Sequence, residues 1–307
     1  MLEYGQKLWV DGALSDFSEA GKVSILVHSL HYGVGVFEGI RAYRHSGGRS
    51  TVFRLREHLE RLRDSCKLMN IELSYDVDTL SDACVSVLRA NQFQEAYLRP
   101  LVLLGEGSMG LGLQGNASTV LILTWKWGAY LGAHGVSSGI RCKTSAWTRA
   151  EATSSFPRGK ITGQYVTNVM AKNDALRDGY DEALMTDSRG YVLEGTGENL
   201  FIVRHGKVLT PPLSCPILPG ITRDTVVSLA REAGHVVQEG MIARDDIYLA
   251  DEVFLTGTAA EVTPVVEVDG RRIGTGQVGA LSAHLQQRYF DVVRGGDASK
   301  SQWLTDV

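Results

Sequence analysis

Cysteine is scarce in this chain of 307 residues: the four thiols, at positions 66, 84, 142 and 215, are widely spread and none belongs to a Cys-x-x-Cys. That excludes a disulfide framework and a thiolate zinc site as organising devices, and buried thiols are the expectation. The histidines show no ligand-like spacing beyond His28 and His31, a pair that a loop hydrogen-bonding role explains, so no metal is expected. No apolar run is as long as a bilayer-spanning helix, and the start, from Met1 to Lys7, lacks the apolar core of a secretion signal. A cytoplasmic location is the expectation. Basic blocks are missing as well: 31 Lys and Arg stand against 35 Asp and Glu, for a net charge of −4, with no aromatic-basic interleaving. Nucleic acid is therefore a poor partner and a small molecule a better one. There is no internal repeat or low-complexity run.

What is present is an ordinary globular composition, 44% hydrophobic and 21% charged, in a length that favours two domains. Asp11-Gly12 between apolar residues signals a hairpin, and Asp269-Gly270 repeats the device. Helical spacing of Leu59, Leu62, Cys66 and Met69, and of Leu80, Cys84, Val87 and Leu88, predicts helices over Arg56 to Met69 and Asp78 to Ala90. Strands are predicted at Thr51 to Leu55, Tyr97 to Leu104 and Val120 to Thr124, so the first part is an α+β unit. From Trp125 to Gly139 the chain turns glycine-rich and irregular, and the domain junction belongs there. The division is a small domain over 1–126, a loop over 127–138 and a larger domain over 139–307. In the second part a helix runs from about Tyr165 to Gly179, with Val166, Val169, Met170, Asn173 and Leu176 along one side. Two hairpins follow, one leaving Glu194 at a strand's exit, and a further helix opens after Gly220 and runs to Gly234.

Lys160 and Glu194 are the most informative residues, because of what surrounds them. An amine that attacks an aldehyde must be neutral part of the time, and a carboxylate opposite a pyridine nitrogen keeps that nitrogen protonated. Those are two requirements of pyridoxal phosphate. A surface cation and a solvated acid are the ordinary readings of either residue alone. Gly220-Ile221-Thr222 lies where a helix begins, so unpaired N–H groups and a hydroxyl can meet an anion, although a plain cap is the commoner meaning of such a start. Thr256-Gly257-Thr258-Ala259-Ala260, after the apolar strand Val253-Phe254-Leu255, is a second such turn. A cofactor phosphate and a substrate carboxylate would use both.

Several runs, in order from residue 9 to about 275, carry a resemblance. They are Tyr32 to Arg41, Arg56 to Leu62, Tyr97-Leu98-Arg99-Pro100, Glu194-Gly195-Thr196-Gly197-Glu198-Asn199-Leu200-Phe201, Leu218 to Arg223 and Gly257 to Glu261. Together they resemble the branched-chain amino acid aminotransferases, of the class IV, fold-type IV pyridoxal phosphate enzymes. Gly163-Gln164-Tyr165 departs from the frequent Gly-Asn-Tyr, which touches only that side chain's supporting role. The resemblance implies a two-domain α+β fold, with a smaller N-terminal α+β domain and a larger C-terminal domain built on a β-barrel-like sheet core flanked by helices. It implies that Lys160 attaches the cofactor and shuttles the substrate's α-proton, that Glu194 pairs with the ring nitrogen, and that Tyr165 hydrogen-bonds the phenolic oxygen. Arg61, Ile221, Thr222 and Thr258 would bind the phosphate, and Leu218 and Gly197 would lie against the ring faces.

For the substrate, the resemblance implies that Tyr97 holds the α-carboxylate, with Thr258 and Ala259 completing its site, and that Arg99 receives the distal carboxylate of glutamate or 2-oxoglutarate. Phe37, Tyr32, Trp127, Tyr130, Tyr165 and Leu111 would wall the apolar pocket for leucine, isoleucine and valine, though such aromatics are more often plain core. Tyr32 and Leu111 would reach the partner subunit's site in a homodimer or an assembly of dimers. The same scaffold also serves D-amino acid and (R)-amine transaminases and aminodeoxychorismate lyases, which are the alternatives. A non-catalytic phospho-ligand binder would not need Lys160, Glu194 and Tyr165 intact. A nucleotide-binding domain would need a Gly-x-Gly-x-x-Gly between strand and helix; the run Gly105 to Gly110 has the spacing but no helical pattern after it.

Overall fold

The computed structural model describes every residue except Met1 and Ala129. Two compact units make up the chain: Met1–Trp127, Gly159–Gln164 and Val292–Val307 form the first, Gly128–Arg158 and Tyr165–Asp291 the second. Sequence patterning places a single boundary; the fold adds two returns to the first unit. One occurs because Ile161 bridges Val36, the other because the C-terminal strand Leu304–Asp306 pairs with Ser50–Phe53.

The first unit is built on a single antiparallel sheet. Its strands are β1 (Lys7–Val10), β2 (Ala13–Asp16), β3 (Gly35–Phe37), β4 (Ile40–Arg44), β5 (Ser50–Phe53), β6 (Ala96–Leu104) and β7 (Ser118–Trp125). The order is C-terminal strand, β5, β4, β6, β7, β1, β2, with β3 pairing β6 off this path. β1 and β2 are joined by Asp11 and Gly12 at φ 41° and 102°, the positive pair that a tight two-residue hairpin turn needs and that Asp-Gly supplies. The helices Leu55–Leu68 and Val77–Asn91 bury Leu59, Leu62, Cys66, Leu80, Cys84, Val87 and Leu88, as their spacing predicts, in one core with Val36, Ile40, Leu98 and Ile122.

The second unit is built on strands β8 (Ile140–Thr148), β9 (Glu182–Thr186), β10 (Val192–Glu194), β11 (Asn199–Arg204), β12 (Lys207–Thr210), β13 (Val237–Glu239), β14 (Glu252–Gly257), β15 (Glu261–Val268) and β16 (Arg271–Arg272). β10 pairs with both β9 and β11, so the path β10-β9-β8-β15-β14-β11 closes into a barrel-like ring. β8 and β9 are parallel and need a crossover, which the helix Tyr165–Arg177 provides. That helix packs through Ala171 and Ala175 on Ala183 and Met185. Its larger apolar residues, Val166, Val169, Met170 and Leu176, are exposed instead, because only the small side lets its backbone approach the sheet. Within the stretch expected to be irregular, Gly132–Ser138 is helical. All four cysteines are free and buried, and burial alone pushes the Cys66 thiol up to about 12. Among the described residues no helix is long and apolar enough to cross a membrane, and no group of His, Cys, Asp and Glu is arranged to hold a metal ion.

Candidate active site

Each unit carries its own group of the predicted residues. In the first, Lys160 lies on the short return Gly159–Gln164, whose backbone is fastened on both sides. Phe37 N–H donates to the Lys160 carbonyl at 3.0 Å, and Lys160 N–H donates to Ser65 Oγ at 3.0 Å. Ser65 Oγ in turn donates to the Arg61 carbonyl at 2.8 Å, so one hydroxyl links the backbone of the lysine to that of the arginine. Gly163 N–H donates to the Gly33 carbonyl at 2.9 Å, and a Cβ on either glycine would stand 2.9 Å from the other's backbone, so both must be glycine. The Lys160 ammonium sits 4.8 Å from the centre of the Phe37 ring.

His58 and Arg61 are neighbours on one face of the helix Leu55–Leu68, and both meet Glu38. Arg61 Nε and Nη2 donate to its two oxygens at 2.7 and 2.9 Å, and His58 Nδ1–H donates at 2.7 Å. Glu38 is wholly buried; burial alone would raise its pKa, but Arg61 and His58 more than offset this and hold it well below the usual carboxylate range. Burial lowers the pKa of His58 despite Glu38, leaving a neutral ring and one net ion pair. The forked grip fixes Arg61 in one rotamer.

β6 presents Tyr97 and Arg99 on one face, as their two-residue spacing predicts. The Arg99 guanidinium lies 4.6 Å from the Phe37 ring centre, 5.4 Å from that of Tyr97 and 5.3 Å from that of Trp125. Its Nη2 is 3.4 Å from the Tyr97 hydroxyl, and its Nε is buried with no hydrogen-bond partner among the described residues. Trp127 meets Tyr97 edge-on at 4.8 Å and is anchored by Arg41, which donates to its carbonyl at 3.1 Å. Gly39 makes this possible, since a Cβ there would collide with the Tyr97 hydroxyl. Tyr32 and Leu111 are both exposed on this unit, with Tyr32 OH donating to the Met109 carbonyl at 2.7 Å.

In the second unit Glu194 ends β10 opposite Asn199, with Gly195 N–H bonded to the Glu198 carbonyl at 2.7 Å to close the turn between them. Its carboxylate is buried, with an ion pair on one oxygen and hydrogen-bond donors on the other. Arg149 Nε stands 2.8 Å from Oε1, while Asn199 Nδ2 and Leu218 N–H each donate to Oε2 at 3.2 Å. Asn199 Nδ2 also donates to the Leu218 carbonyl at 2.9 Å, and Gly220 must be glycine because a Cβ would collide with Asn199 Oδ1. One amide therefore ties Glu194 to the turn that starts the helix Ile221–Glu232. That helix begins with Gly220 as a cap that offers no side-chain bond, with Ile221 and Thr222 buried at its head. The turn Gly257-Thr258 abuts Gly197, whose carbonyl is 3.1 Å from where a Gly257 Cβ would be, and Thr256 Oγ1 is buried there without a partner among the described residues. Tyr130 N–H reaches the Ala259 carbonyl at 3.4 Å, and Tyr165 opens the helix Tyr165–Arg177.

Two further acids of this unit, Glu182 and Glu198, are buried. Glu182 takes Lys172 Nζ at 2.6 Å and the Thr196 hydroxyl at 2.7 Å. Burial first, then the charge of Glu182, pushes Glu198 up to about 8. Lys172 also lies 5.0 Å from the Tyr130 ring centre, and burial pushes that phenol up to about 12.

Unit by unit, the first offers the Arg61 guanidinium held by Glu38, which suits an anion, and the second offers the head of the helix Ile221–Glu232, which suits a phosphate, and the buried Glu194 carboxylate, which suits a basic ring nitrogen. Residues 35–268 match the family described as Amino-transferase class IV. The chain belongs to this family. Among its relatives is the branched-chain-amino-acid aminotransferase of Pseudomonas aeruginosa, 44% identical over 98% of this chain and 97% of that protein. The Escherichia coli branched-chain amino acid aminotransferase structure superposes with a TM-score of 0.95 at 41% identity, covering 98% of this chain and 99% of that one. The branched-chain amino acid aminotransferase of Thermobaculum terrenum, solved in its PLP-form, superposes with a TM-score of 0.93 at 34% identity, covering 99% of each chain. The class IV aminotransferases use pyridoxal phosphate, and this chain is a pyridoxal phosphate-dependent aminotransferase of fold type IV.

Arg149, Asn199, Glu38 and His58 are the functional-site residues that motif reading left without a role. Glu38 and Asn199 stand inside the quoted motifs, where a charged or amide residue beside glycines is a usable signal. Arg149 stands outside every motif, and nothing in the sequence points to it.

Proposed function

We propose that this aminotransferase moves the α-amino group of leucine, isoleucine or valine to 2-oxoglutarate, reversibly and by ping-pong exchange, in one pocket that accepts both apolar and acidic side chains. The observation that carries this reading is Arg99: a cation with an unsatisfied buried Nε, enclosed by Phe37, Tyr97 and Trp125. Aromatic faces accept an aliphatic side chain, and the guanidinium accepts the distal carboxylate of glutamate without rebuilding the wall. Tyr97 beside it serves the α-carboxylate, with Thr258 and Ala259 contributing backbone N–H groups. Phe37, Trp127, Tyr130 and Tyr165 add apolar surface.

Bound to the enzyme, pyridoxal phosphate supplies a protonated ring that accepts the electron pair left when the substrate loses its α-proton. Lys160 is the residue that holds the cofactor covalently and carries that proton, and its backbone clamp to Phe37 and Ser65 keeps the amine on one line of approach. Glu194 maintains the positive charge on the ring nitrogen, Tyr165 donates to the phenolic oxygen, and Leu218 and Gly197 present backbone and side chain to the ring faces. Arg61, Ile221, Thr222 and Thr258 hold the phosphate, Arg61 being pre-aimed by Glu38.

We also infer a homodimer or an assembly of dimers in the cytoplasm. Leu111 is 82% exposed, and Ile25, Leu30, Tyr32 and Met109 are exposed apolar neighbours in segments bonded to one another through His28, His31 and Tyr32. The four free thiols accord with a reducing compartment. The decisive experiment mixes the holoenzyme with L-leucine, D-alanine or (R)-1-phenylethylamine and follows the visible absorbance of the lysine-bound cofactor. Fast bleaching by L-leucine alone, and its return on adding 2-oxoglutarate, is the expected result; preferential bleaching by D-alanine or the amine would replace this substrate reading.

A further inference from the structure

Arg149 comes directly after β8, and its backbone N–H is bonded to the Thr186 carbonyl at 2.8 Å, so its Cα is fixed at the end of β9. The side chain runs inward to Glu194, and the two side chains are only 11% and 6% exposed. The guanidinium is itself oriented: Nη1 donates to Asn168 Oδ1 at 3.1 Å, and Nε lies 3.4 Å from the Pro216 carbonyl as well as 2.8 Å from Glu194 Oε1. Asn168 Nδ2 then donates at 2.6 Å to the carbonyl of Thr196, in the turn that follows Glu194. Oε1 faces a fixed positive charge, and Oε2 faces the neutral donors Asn199 and Leu218 N–H.

We propose that Arg149 is a positioning residue of the transamination site: it keeps the Glu194 carboxylate charged and turned to serve the cofactor's ring nitrogen, an assignment that rests on the reading of Glu194 given above. A carboxyl buried near a further buried acid, Glu198, is under pressure to take up a proton. A neutral carboxyl cannot hold the ring nitrogen as a cation, and the ring then loses its power as an electron sink. Arg149 is ion-paired with Glu194 and counters that pressure. Its guanidinium suits the role because it stays charged at any working pH, and its hydrogen bonds to Asn168 and the Pro216 carbonyl hold that charge 2.8 Å from Glu194 Oε1. A buried ion pair is weak evidence for stability as such, which favours a functional reason for this one.

The test is a double-mutant cycle on the holoenzyme with Arg149→Gln and Glu194→Gln, reading kcat, its pH profile and, separately, the affinity of the apoprotein for pyridoxal phosphate by tryptophan quenching. With Glu194 in place, Arg149→Gln is expected to lower kcat by about 10-fold or more, to weaken cofactor binding and to move the acid limb of the kcat profile to higher pH. In the Glu194→Gln background the same substitution is expected to change kcat and cofactor affinity less than about twofold, because there is no charge left to hold. Arg149→Lys keeps the charge and is expected to restore the acid limb even where the fork geometry, and part of kcat, is lost. Equal losses in both backgrounds, or an unmoved acid limb with Arg149→Gln and Arg149→Lys alike, would overturn the proposal and leave Arg149 a structural residue. Should Arg149→Gln not fold, the Arg149→Lys comparison across the two backgrounds decides by the same criterion. Full kcat in Glu194→Gln itself would instead remove the role given to Glu194, and the Arg149 proposal with it.

Discussion

At the scale of single residues the chemistry separates into groups that react and groups that hold them. Lys160→Ala is expected to abolish both activity and the visible absorbance of the bound cofactor, which a spectrum of the purified protein checks directly. Arg99→Leu is a sharper test, because it should split the two half-reactions: bleaching by L-leucine stays within a few-fold, while regeneration by 2-oxoglutarate slows about 10- to 100-fold, the loss of a charge-assisted hydrogen bond. Stopped-flow traces of each half-reaction would expose a uniform loss, which would count against the dual-substrate reading. Glu198 predicts a pH effect whose sign can be worked out. Unfolded, it ionises near 4.5; folded, at about 8, because of burial and then Glu182. Between those values the folded chain holds an extra proton, so stability is lost as pH rises through this window and levels off above it. Glu198→Gln lacks that loss, and its melting temperature relative to the parent is expected to climb between pH 5 and 9; a constant difference would show that Glu198 does not titrate there. Lys160, Glu194 and Arg99 are legible in the sequence because the roles proposed for them depend on residue type within ordered motifs. Glu198 as a neutral acid is not, since its state depends on Glu182, brought beside it only when β9 and the β10–β11 turn pack together.

Secondary-structure elements show the same division in their packing. The helix Leu55–Leu68 buries the face its spacing announces, and that burial fixes His58 and Arg61 against Glu38. Leu59→Ala, at a site with no solvent exposure, is expected to cost about 2–5 kcal/mol by denaturant unfolding, whereas exposed Leu68→Ala should cost little. Gly39, between β3 and β4, decides where Tyr97 can sit. Gly39→Ala is expected to raise the KM for L-leucine and to destabilise the fold by about 1–3 kcal/mol through overpacking, since either Tyr97 or the β3–β4 turn must move. The helix Tyr165–Arg177 is where periodicity misleads. Its valines and methionine mark the outward side, because the crossover from β8 to β9 is tight and only Ala171 and Ala175 are small enough for the contact. Apolar spacing locates a face; the separation between elements decides which face is used.

For the molecule as a whole, the short return Gly159–Gln164 and the C-terminal segment join the first unit although in sequence they follow the start of the second. The exposed apolar residues around Leu30, Tyr32 and Leu111 bear on assembly. Light scattering is expected to give at least twice the chain mass, and Leu111→Asp to lower it or to weaken the assembly on dilution, because an 82% exposed leucine is a poor surface residue unless covered. An unchanged monomer mass for the parent protein would remove the dimer and the cross-subunit roles of Tyr32 and Leu111 together.

The sequence by itself determined the elements and the residue types at the chemistry: period-two and helical apolar spacing act over a few residues, and the Asp-Gly turns and the lysine and glutamate motifs are local. Only the tertiary structure decided which charges meet. Arg149 reaches Glu194, and Asn199 ties Glu194 to Leu218, because β10 bonds to both β9 and β11 and the ring closes. The ring rests on long-range pairings, β8 with β15 and β11 with β14, and no local pattern in a chain carries the identity of a partner so far along it.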